Sequence, residues 1–253
     1  MMGAMSRVPQ WLLHIPIAHR GLHDASRGVI ENSLAAFRAA ARAGYPAELD
    51  VRLLADGEVV VFHDQNLDRL TNASGPIASH TAREVETILL STDERIPLLR
   101  DVLDLVNGST PLLIEIKNEG EVGELEENTA ALLAGYRGAY AVQSFHPGTV
   151  KYWRTHAAHT PRGLLAGDFR DEKIDDRTRQ RLRNMEDIEE CAPDFIGYDI
   201  RLLPCDPVTR AVARGLPVLG WTARTIVDAE RALAHCDNVI FEGFDANMMR
   251  TQK

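Results

Sequence analysis

Eight short runs of β-branched and aliphatic residues recur along this chain, and most are followed by a stretch whose apolar residues return every three or four positions. Such alternation of strand and helix patterns is typical of parallel β-α-β units. The predicted strands cover residues 15–19, 47–53, 112–117, 139–145, 162–167, 194–200, 216–222 and 238–243. Eight units in a chain of 253 residues favour a closed (β/α)8 barrel, a TIM barrel, over an open doubly wound sheet. No Gly-x-Gly-x-x-Gly motif follows the first strand to argue otherwise.

The segment 54–111 is too long for a single crossover between two strands. It holds a β-like run at 58–64, a polar turn region at 72–79 and helical patterns at 81–90 and 98–106. We therefore predict one domain, 1–253, with a small insertion between barrel strands 2 and 3. Within the insertion, Ile88, Leu89 and Leu90 are expected to form one buried helix face.

The charge and the cysteines exclude several classes of protein. A net charge of -9 argues against a sequence-independent grip on nucleic acid, which needs a basic surface. Cys191, Cys205 and Cys236 are scattered without paired spacing, as expected for buried or inert thiols in a reducing compartment. No apolar stretch approaches the roughly 18 residues that span a bilayer, and no leader pattern opens the chain. We expect a cytoplasmic protein without integral membrane association.

Carboxylates stand late in two predicted neighbouring strands. Glu48 and Asp50 share one side of the strand 47–53, and Glu115 shares a side with Lys117 in the strand 112–117. The structural interpretation is an ion network in which Glu115 pairs with Lys117 while Glu48 and Asp50 meet Arg20 or Arg52. However, three converging carboxylates repel one another unless a cation neutralises them. An all-oxygen site of this kind suits Mg²⁺ or Ca²⁺.

Two histidines and two basic residues add to this pattern. His19 ends the first predicted strand and His63 ends the β-like run of the insertion, which puts two imidazoles near the same rim. A lone histidine is more often structural, but two beside a hard cation can exchange protons with both oxygens of a bond that is cleaved. Arg20 and Lys117 supply positive charge and donors for a phosphoryl group. The set fits metal-assisted phosphoryl transfer.

Several motifs match a known family in order along the chain. They are HRG at 19–21, EN at 31–32 before LAAFRAA, ELDVRLLADGEVVVFHD at 48–64, Leu67 with Arg69 and Thr71, IEIK at 114–117 and GWT at 220–222. From about His19 to Ile240 the sequence resembles the glycerophosphodiester phosphodiesterase family. The ordered set is highly specific, whereas each short motif alone is not.

The resemblance implies a barrel with an insertion after the second strand, a divalent cation, and hydrolysis of glycerophosphodiesters to glycerol 3-phosphate and an alcohol. It implies roles by position: metal ligands at Glu48, Asp50 and Glu115, an acid and base pair at His19 and His63, phosphate holders at Arg20 and Lys117, and a cleft aromatic at Trp221. Core packing is the alternative for Trp221. Asn32 is either a helix N-cap or a contact of the site.

The sequence departs from the family pattern at two places. The loop 20–30 carries His23 and Asp24, which we treat as solvated, and the last strand has Glu242 where an aspartate followed by proline is expected. Two alternatives stay open: a phosphodiesterase for a bulky lysophospholipid on the same barrel, and an inactive binding protein. The few large apolar residues of the segment 64–97 favour a small-molecule glycerophosphodiester. The oligomeric state is not predicted.

Overall fold

The structure is a computed structural model that describes residues 8–170 and 174–252, the last three as backbone only. Its strands are β1 (Ile17–Ala18), β2 (Ala47–Leu53), β3 (Val59–Val61), β4 (Leu112–Ile116), β5 (Tyr140–Ser144), β6 (Arg162–Ala166), β7 (Phe195–Asp199), β8 (Val218–Ala223) and β9 (Asn238–Phe241). Its α-helices are α1 (Gln10–His14), α2 (Leu34–Ala43), α3 (Ala82–Val85), α4 (Leu99–Val106), α5 (Glu124–Ala134), α6 (Pro147–His156), α7 (Asp176–Arg183), α8 (Ile188–Cys191), α9 (Asp206–Ala213) and α10 (Ile226–Leu233).

Eight of these strands form a closed parallel barrel in the order β1, β2, β4, β5, β6, β7, β8, β9, with β1 beside β9. The predicted (β/α)8 fold is therefore confirmed, and every predicted strand lies within two residues of an observed one at either end. The run at 58–64 becomes β3, which pairs antiparallel with β2 through Val51 and Val61. Because β3 branches from the barrel at β2, the insertion starts beside the strand that carries Glu48 and Asp50.

The helix α2 shows how local sequence sets an element. The Ser33 side chain accepts a hydrogen bond from the Ala36 backbone N–H, and Gly44, with φ 75°, ends the helix in the left-handed conformation. Ala36, Phe37 and Ala40 face inward and are buried, as the spacing of apolar residues predicts. The predicted helices at 98–106 and before the last strand appear as α4 and α10.

The chain divides into two compact units: Ala18–Tyr140, and the remainder from Ala141 onward with the segment up to Ile17. In the first unit the insertion has a cluster of buried apolar residues: Ile30, Leu54, Val60, Phe62, Leu67, Ile77, Ala82, Val85, Ile88, Leu90, Ile96 and Leu98. In the second, a cluster forms around β6 and β7: Val150, Leu164, Ala166, Met185, Cys191, Ile196, Tyr198, Val208, Ala211 and Val218.

One element prediction is wrong. The helix expected over 81–90 stops at Val85, so Ile88, Leu89 and Leu90 do not form a helix face. Leu89 forms a bridge with Arg95, and Leu90 forms one with Thr71. Ile88 and Leu90 are still buried. Three consecutive apolar residues carry no period, so burial alone could not distinguish a helix from an extended segment.

Two further predictions concern compartment. The cysteines form no disulfide, and burial raises the pKa of both Cys191 and Cys236 to about 12, which agrees with inert thiols. In the part of the chain that the structure describes, every helix is too short or too polar to cross a bilayer. The prediction about a leader concerns residues 1–7 among others, and these lie outside the described residues.

Candidate active site

The three predicted carboxylates lie together at the barrel strands β2 and β4. The register pairs Asp50 with Glu115 and Glu48 with Leu113, so adjacent strands present the acids side by side. One carboxylate oxygen of each of Glu48, Asp50 and Glu115 lies within 4.8 Å of the other two, and all three residues are buried. This group, which we call the carboxylate cluster, could hold a metal ion through oxygen ligands.

Two basic side chains contact the cluster. The Lys117 Nζ lies 2.5 Å from Glu115 Oε1 and 3.2 Å from Asp50 Oδ1. The Arg20 Nε lies 3.4 Å from Asp50 Oδ2, and the Arg20 backbone N–H donates to Glu48 Oε2 over 2.8 Å. The expected ion pairs of Glu115 with Lys117 and of Asp50 with Arg20 are therefore present, whereas Glu48 meets Arg20 through the backbone N–H. They place cationic donors at the edge of the cluster.

Burial and neighbouring charges act in opposite directions on the groups of the cluster. Burial, together with Asp50 and Glu115, raises the pKa of Glu48 well above its ordinary value. Burial also opposes ionisation of Asp50, but Lys117 and the other nearby positive groups outweigh it and lower the pKa of Asp50. Burial tends to lower the pKa of Lys117, yet Glu115 and Asp50 raise it. One carboxyl thus resists ionisation among these partners, and a divalent cation would relieve that resistance.

The loop after β1 brings Arg20 and Asn32 to the cluster. Both have positive φ angles, 52° and 56°, and the Asn32 backbone N–H donates to the Arg20 carbonyl over 2.9 Å. The Asn32 side chain donates to Asp50 Oδ2 over 2.8 Å. Ser33 caps α2 instead, so the N-cap interpretation of Asn32 is wrong and its contact with the site is confirmed. Asn and Ser are both preferred N-cap residues, so the sequence alone does not decide which of the two caps the helix.

His19 lies between β1 and Arg20. Ala18 pairs with Ala47 of β2, and the Gly21 backbone N–H donates to the Glu48 carbonyl over 3.0 Å. The backbone of His19 therefore runs beside the start of the carboxylate-bearing strand. This position agrees with the predicted placement of His19 at the end of the first strand.

His63 stands at the end of a chain of ion pairs that the sequence did not reveal. Its Nδ1 lies 2.7 Å from Asp64 Oδ1. Arg69 donates to Asp64 at 2.6 and 2.9 Å and to Glu31 at 2.8 and 3.0 Å. Glu31 in turn accepts from Arg20 over 2.6 Å. Asp64 and Arg69 lie in motifs that carried the resemblance, but the sequence showed no reason for their pairing.

These ion pairs fix the charge of their acids. Burial raises the pKa of Glu31, but hydrogen bonds and charge from Arg69 and Arg20 outweigh it and bring the pKa down to about 2. Burial likewise opposes the ionisation of Asp64, and bonds from His63 and Arg69 lower its pKa. Both acids therefore stay ionised near neutral pH and hold Arg20 and His63 in place.

Arg52 follows Asp50 on the same face of β2, but its side chain turns to other partners. It donates from Nε to the His63 carbonyl over 2.8 Å and from Nη2 to Glu119 Oε1 over 3.0 Å. Gln65 also donates to Glu119. Arg52, Gln65 and Glu119 border a pocket of about 610 Å³ that is also lined by Lys117.

Trp221 belongs to the second unit and has an aromatic environment there. Its ring meets Phe145 edge to face with 5.4 Å between centroids, and Phe145 meets Phe169 at 5.5 Å. A Cβ at Gly167 would lie 3.0 Å from the indole, so glycine makes room for the ring. Trp221 is only partly buried, and its role in substrate contact stays a prediction.

A model of the glycerophosphoryl diester phosphodiesterase family matches residues 19–243. The chain belongs to this family. The match begins at His19 and takes in the carboxylate cluster, both histidines, Lys117 and Trp221.

Relatives of this glycerophosphoryl diester phosphodiesterase family member cover part of its length. YhdW of Bacillus subtilis is 36% identical over 159 residues, which are 59% of this chain and 64% of YhdW. The glycerophosphodiester phosphodiesterase of Caldanaerobacter subterraneus subsp. tengcongensis is 40% identical over 111 residues, which are 40% of this chain and 44% of that one. The chain thus spans less than two thirds of the length of these two relatives.

Solved structures share the fold of this family member. A phosphodiesterase of Oleispira antarctica in complex with the product sn-glycerol-3-phosphate superposes with a TM-score of 0.79 at 22% identity, covering 94% of this chain and 96% of that one. A glycerophosphodiester phosphodiesterase of Thermotoga maritima has a TM-score of 0.67 at 25% identity, covering 90% and 94%. The barrel is thereby supported over nearly the whole chain.

Proposed function

We propose that this chain hydrolyses small-molecule glycerophosphodiesters to sn-glycerol 3-phosphate and an alcohol with the help of a divalent cation, Mg²⁺ or Ca²⁺. The observation that carries the proposal is the carboxylate cluster, three buried acids with oxygens within 4.8 Å of one another. Membership of the family supports the reaction. The product bound to the Oleispira antarctica phosphodiesterase supports the glycerol 3-phosphate half of the substrate.

In this proposal Glu48, Asp50 and Glu115 hold the cation. The donor set fits a hard cation because every ligand is a carboxylate oxygen, and because three carboxylates meet in one buried cluster. When bound, the cation supplies charge that stabilises the phosphoryl oxygens in the transition state. Asn32 keeps one oxygen of Asp50 in a hydrogen bond, which orients that ligand.

Arg20 and Lys117 act on the phosphoryl group itself. Arg20 offers a planar fork of donors and Lys117 a compact charge, and their carboxylate partners hold both side chains in place. His19 and His63 divide the proton transfers. One imidazole takes the proton of the oxygen nucleophile that bonds to phosphorus, and the other protonates the alcohol oxygen as its bond to phosphorus breaks. Where the glycerol hydroxyl is that nucleophile, a water opens the resulting cyclic phosphate by the same proton transfers in reverse. Trp221 lines the substrate cleft in this scheme.

The cation requirement is tested with chelator-treated protein. We expect hydrolysis of glycerophosphocholine to disappear after chelation and to return when Mg²⁺ or Ca²⁺ is added, because two cationic side chains face three buried carboxylates in the cluster. Calorimetry should show cation binding by the wild type and weakened binding after Glu48→Ala, Asp50→Ala or Glu115→Ala. Glu127→Ala, which removes an exposed carboxylate of α5, is the matched control.

Two outcomes would contradict this part of the proposal. Full activity of metal-free protein would remove the cation from the reaction. Unchanged cation affinity in any one of the three cluster variants would remove that residue from the ligand set. Neither outcome depends on the headgroup of the chosen substrate.

The remaining proposals concern the domain organisation and the cellular compartment of the protein. We propose that 1–253 acts as one catalytic domain with its insertion, and that it works in the cytoplasm. The absence of a disulfide among its three cysteines supports a reducing compartment.

A further inference from the structure

The pocket beside Lys117 lies between the insertion and the loop that follows β4. Its volume is about 610 Å³. The insertion contributes Gln65 and the stretch 76–78, and the loop contributes the stretch 118–123. Because these loops follow the carboxyl ends of β2 and β4, the pocket opens at the face of the barrel where catalytic groups of this fold gather.

Lys117 links the pocket to the carboxylate cluster. It lines the pocket, and its Nζ pairs with Glu115 and Asp50 at 2.5 and 3.2 Å. A phosphoryl group held at Lys117 therefore has one substituent near the mouth of this pocket. The volume exceeds that of a small alcohol, so steric access does not exclude such a group.

Two side chains of the lining donate hydrogen bonds to the Glu119 carboxylate. Arg52 donates to one oxygen of this carboxylate over 3.0 Å, and Gln65 donates to the other. The Glu119 side chain is still 46% exposed. Arg52 in turn is held by the His63 carbonyl over 2.8 Å. The carboxylate is thus oriented on both oxygens and keeps an accessible surface toward the pocket.

The charge of the lining is negative. It contains the acids Glu119, Glu121 and Glu124 and the bases Arg52 and Lys117. Lys117 is engaged by the carboxylate cluster, and Arg52 and Glu119 offset each other, so Glu121 and Glu124 give the lining its negative charge. A cationic group gains from such a wall, whereas an anionic group is repelled.

We infer that this pocket receives the departing alcohol and that Glu119, oriented by Arg52 and Gln65, selects alcohols that bear an ammonium group. The inference rests on the proposed function, since it names the leaving half of the same substrate. Lys117 holds the phosphoryl oxygen, the alcohol extends past it into the pocket, and its ammonium faces the Glu119 carboxylate. No new covalent step is involved.

The test compares two substrates that differ in headgroup charge, glycerophosphoethanolamine and glycerophosphoglycerol. The measured quantity is the ratio of their kcat/KM values. Glu119→Gln keeps an oxygen that can accept from Arg52 but removes the charge, so we expect the ratio to fall about fivefold to tenfold against the ammonium-bearing substrate. Glu127→Gln removes an exposed charge from α5 outside the pocket lining and should leave the ratio unchanged.

A second variant tests the pocket by size. Ala78 lines the pocket, and Ala78→Leu narrows it. This variant should lower kcat/KM for glycerophosphocholine about threefold or more relative to glycerophosphoethanolamine, because three methyl groups then compete for the space. The comparison keeps the headgroup charge constant.

The outcomes separate the inference from the function on which it rests. A wild type that hydrolyses no glycerophosphodiester overturns the proposed function. A wild type that hydrolyses both substrates, with an unchanged ratio in Glu119→Gln or no size effect in Ala78→Leu, overturns the inference alone.

Discussion

His63 is held on two sides, which limits what its ring can do. Its Nδ1 lies 2.7 Å from Asp64 Oδ1, and its backbone carbonyl accepts from Arg52 over 2.8 Å. A carboxylate at Nδ1 favours the proton on that nitrogen and turns Nε2 away from Asp64. Nε2 is therefore the nitrogen suited to exchange a proton with substrate.

His63→Ala should lower kcat by about 10²- to 10⁴-fold, because a proton-transfer group contributes on that order. Steady-state kinetics with glycerophosphocholine measure the effect, and the melting temperature of the same variant checks folding. His235→Ala removes an exposed imidazole beyond α10 and is the matched control.

A structural role for His63 gives a different result. If the ring only anchors its loop through Asp64, His63→Ala should lose thermal stability while the folded fraction turns over normally. Turnover within threefold of the wild type would end the assignment of His63.

At the scale of the element, the approach of the β1–α2 loop to α2 depends on Gly21. Its φ is 76°, and a Cβ at this position would lie 2.8 Å from the Ala36 carbonyl carbon. The Leu22 backbone N–H donates to the Ala36 carbonyl over 3.0 Å, which keeps the loop against the helix. Arg20 precedes this close contact directly, so the loop places Arg20 as well.

Gly21→Ala should destabilise the fold by about 3 kcal/mol or more, because strain at positive φ adds to a clash with backbone that cannot rotate away. Gly28→Ala is the matched control, since Gly28 has φ 74° with nothing within 4 Å of the added Cβ. That variant should cost only about 1 kcal/mol. Urea denaturation measures both, and equal losses would show that the contact with Ala36 contributes nothing.

The elements also show what could be predicted from the sequence. The barrel strands are predictable because each is a short apolar run with turn residues at its ends. Parallel strands that are covered on both faces of the sheet have this continuous apolar composition. The helix prediction for Ile88 to Leu90 is wrong because residues outside the stretch pair with it. Leu90 forms a bridge with Thr71, and Leu89 forms one with Arg95. Asn32 was ambiguous for a similar reason, since its partner Asp50 lies 18 residues away.

At the scale of the whole molecule, the ion pairs around Glu31 make the stability of the folded protein depend on pH. The pKa of Glu31 falls from 4.5 to about 2 on folding, because Arg69 and Arg20 outweigh the effect of burial. The unfolded chain therefore takes up the proton at a higher pH than the folded chain. The stabilisation is fully present above pH 4.5 and is lost as the pH falls toward 2.

Glu31→Gln should remove this dependence. The difference in unfolding free energy between wild type and variant is expected to shrink by about 2 kcal/mol from pH 6 to pH 3. Denaturant unfolding at several pH values measures it, and Glu127→Gln on the exposed side of α5 corrects for loss of charge alone. Parallel pH profiles of wild type and Glu31→Gln would contradict the linkage.

The part of the candidate site that lies on regular strands is predictable from the sequence. Glu48 and Asp50 share a face by the two-residue period, and parallel register then brings Glu115 beside them. The pairing of Glu31, Arg69 and Asp64 was not predictable, because two segments distant in sequence meet there and no local pattern encodes which charges pair. The prediction that Trp221 lines the cleft stays untested, and so does the division of roles between His19 and His63.

The separate core of the insertion bears on how such a chain diversifies over generations. All its buried apolar residues except Ile30 lie between Leu54 and Leu98, and they pack on one another. Pro76 and Ala78, which line the pocket, are exposed and lie outside this cluster, so we expect mutations there to leave its packing intact. Selection can then remodel the preference for one alcohol or another there while it keeps β2 and β4, with their acids, unchanged. Lineages with the same phosphoryl chemistry should keep His63, Asp64 and Arg69 and should differ most at pocket-lining positions such as Pro76 and Ala78.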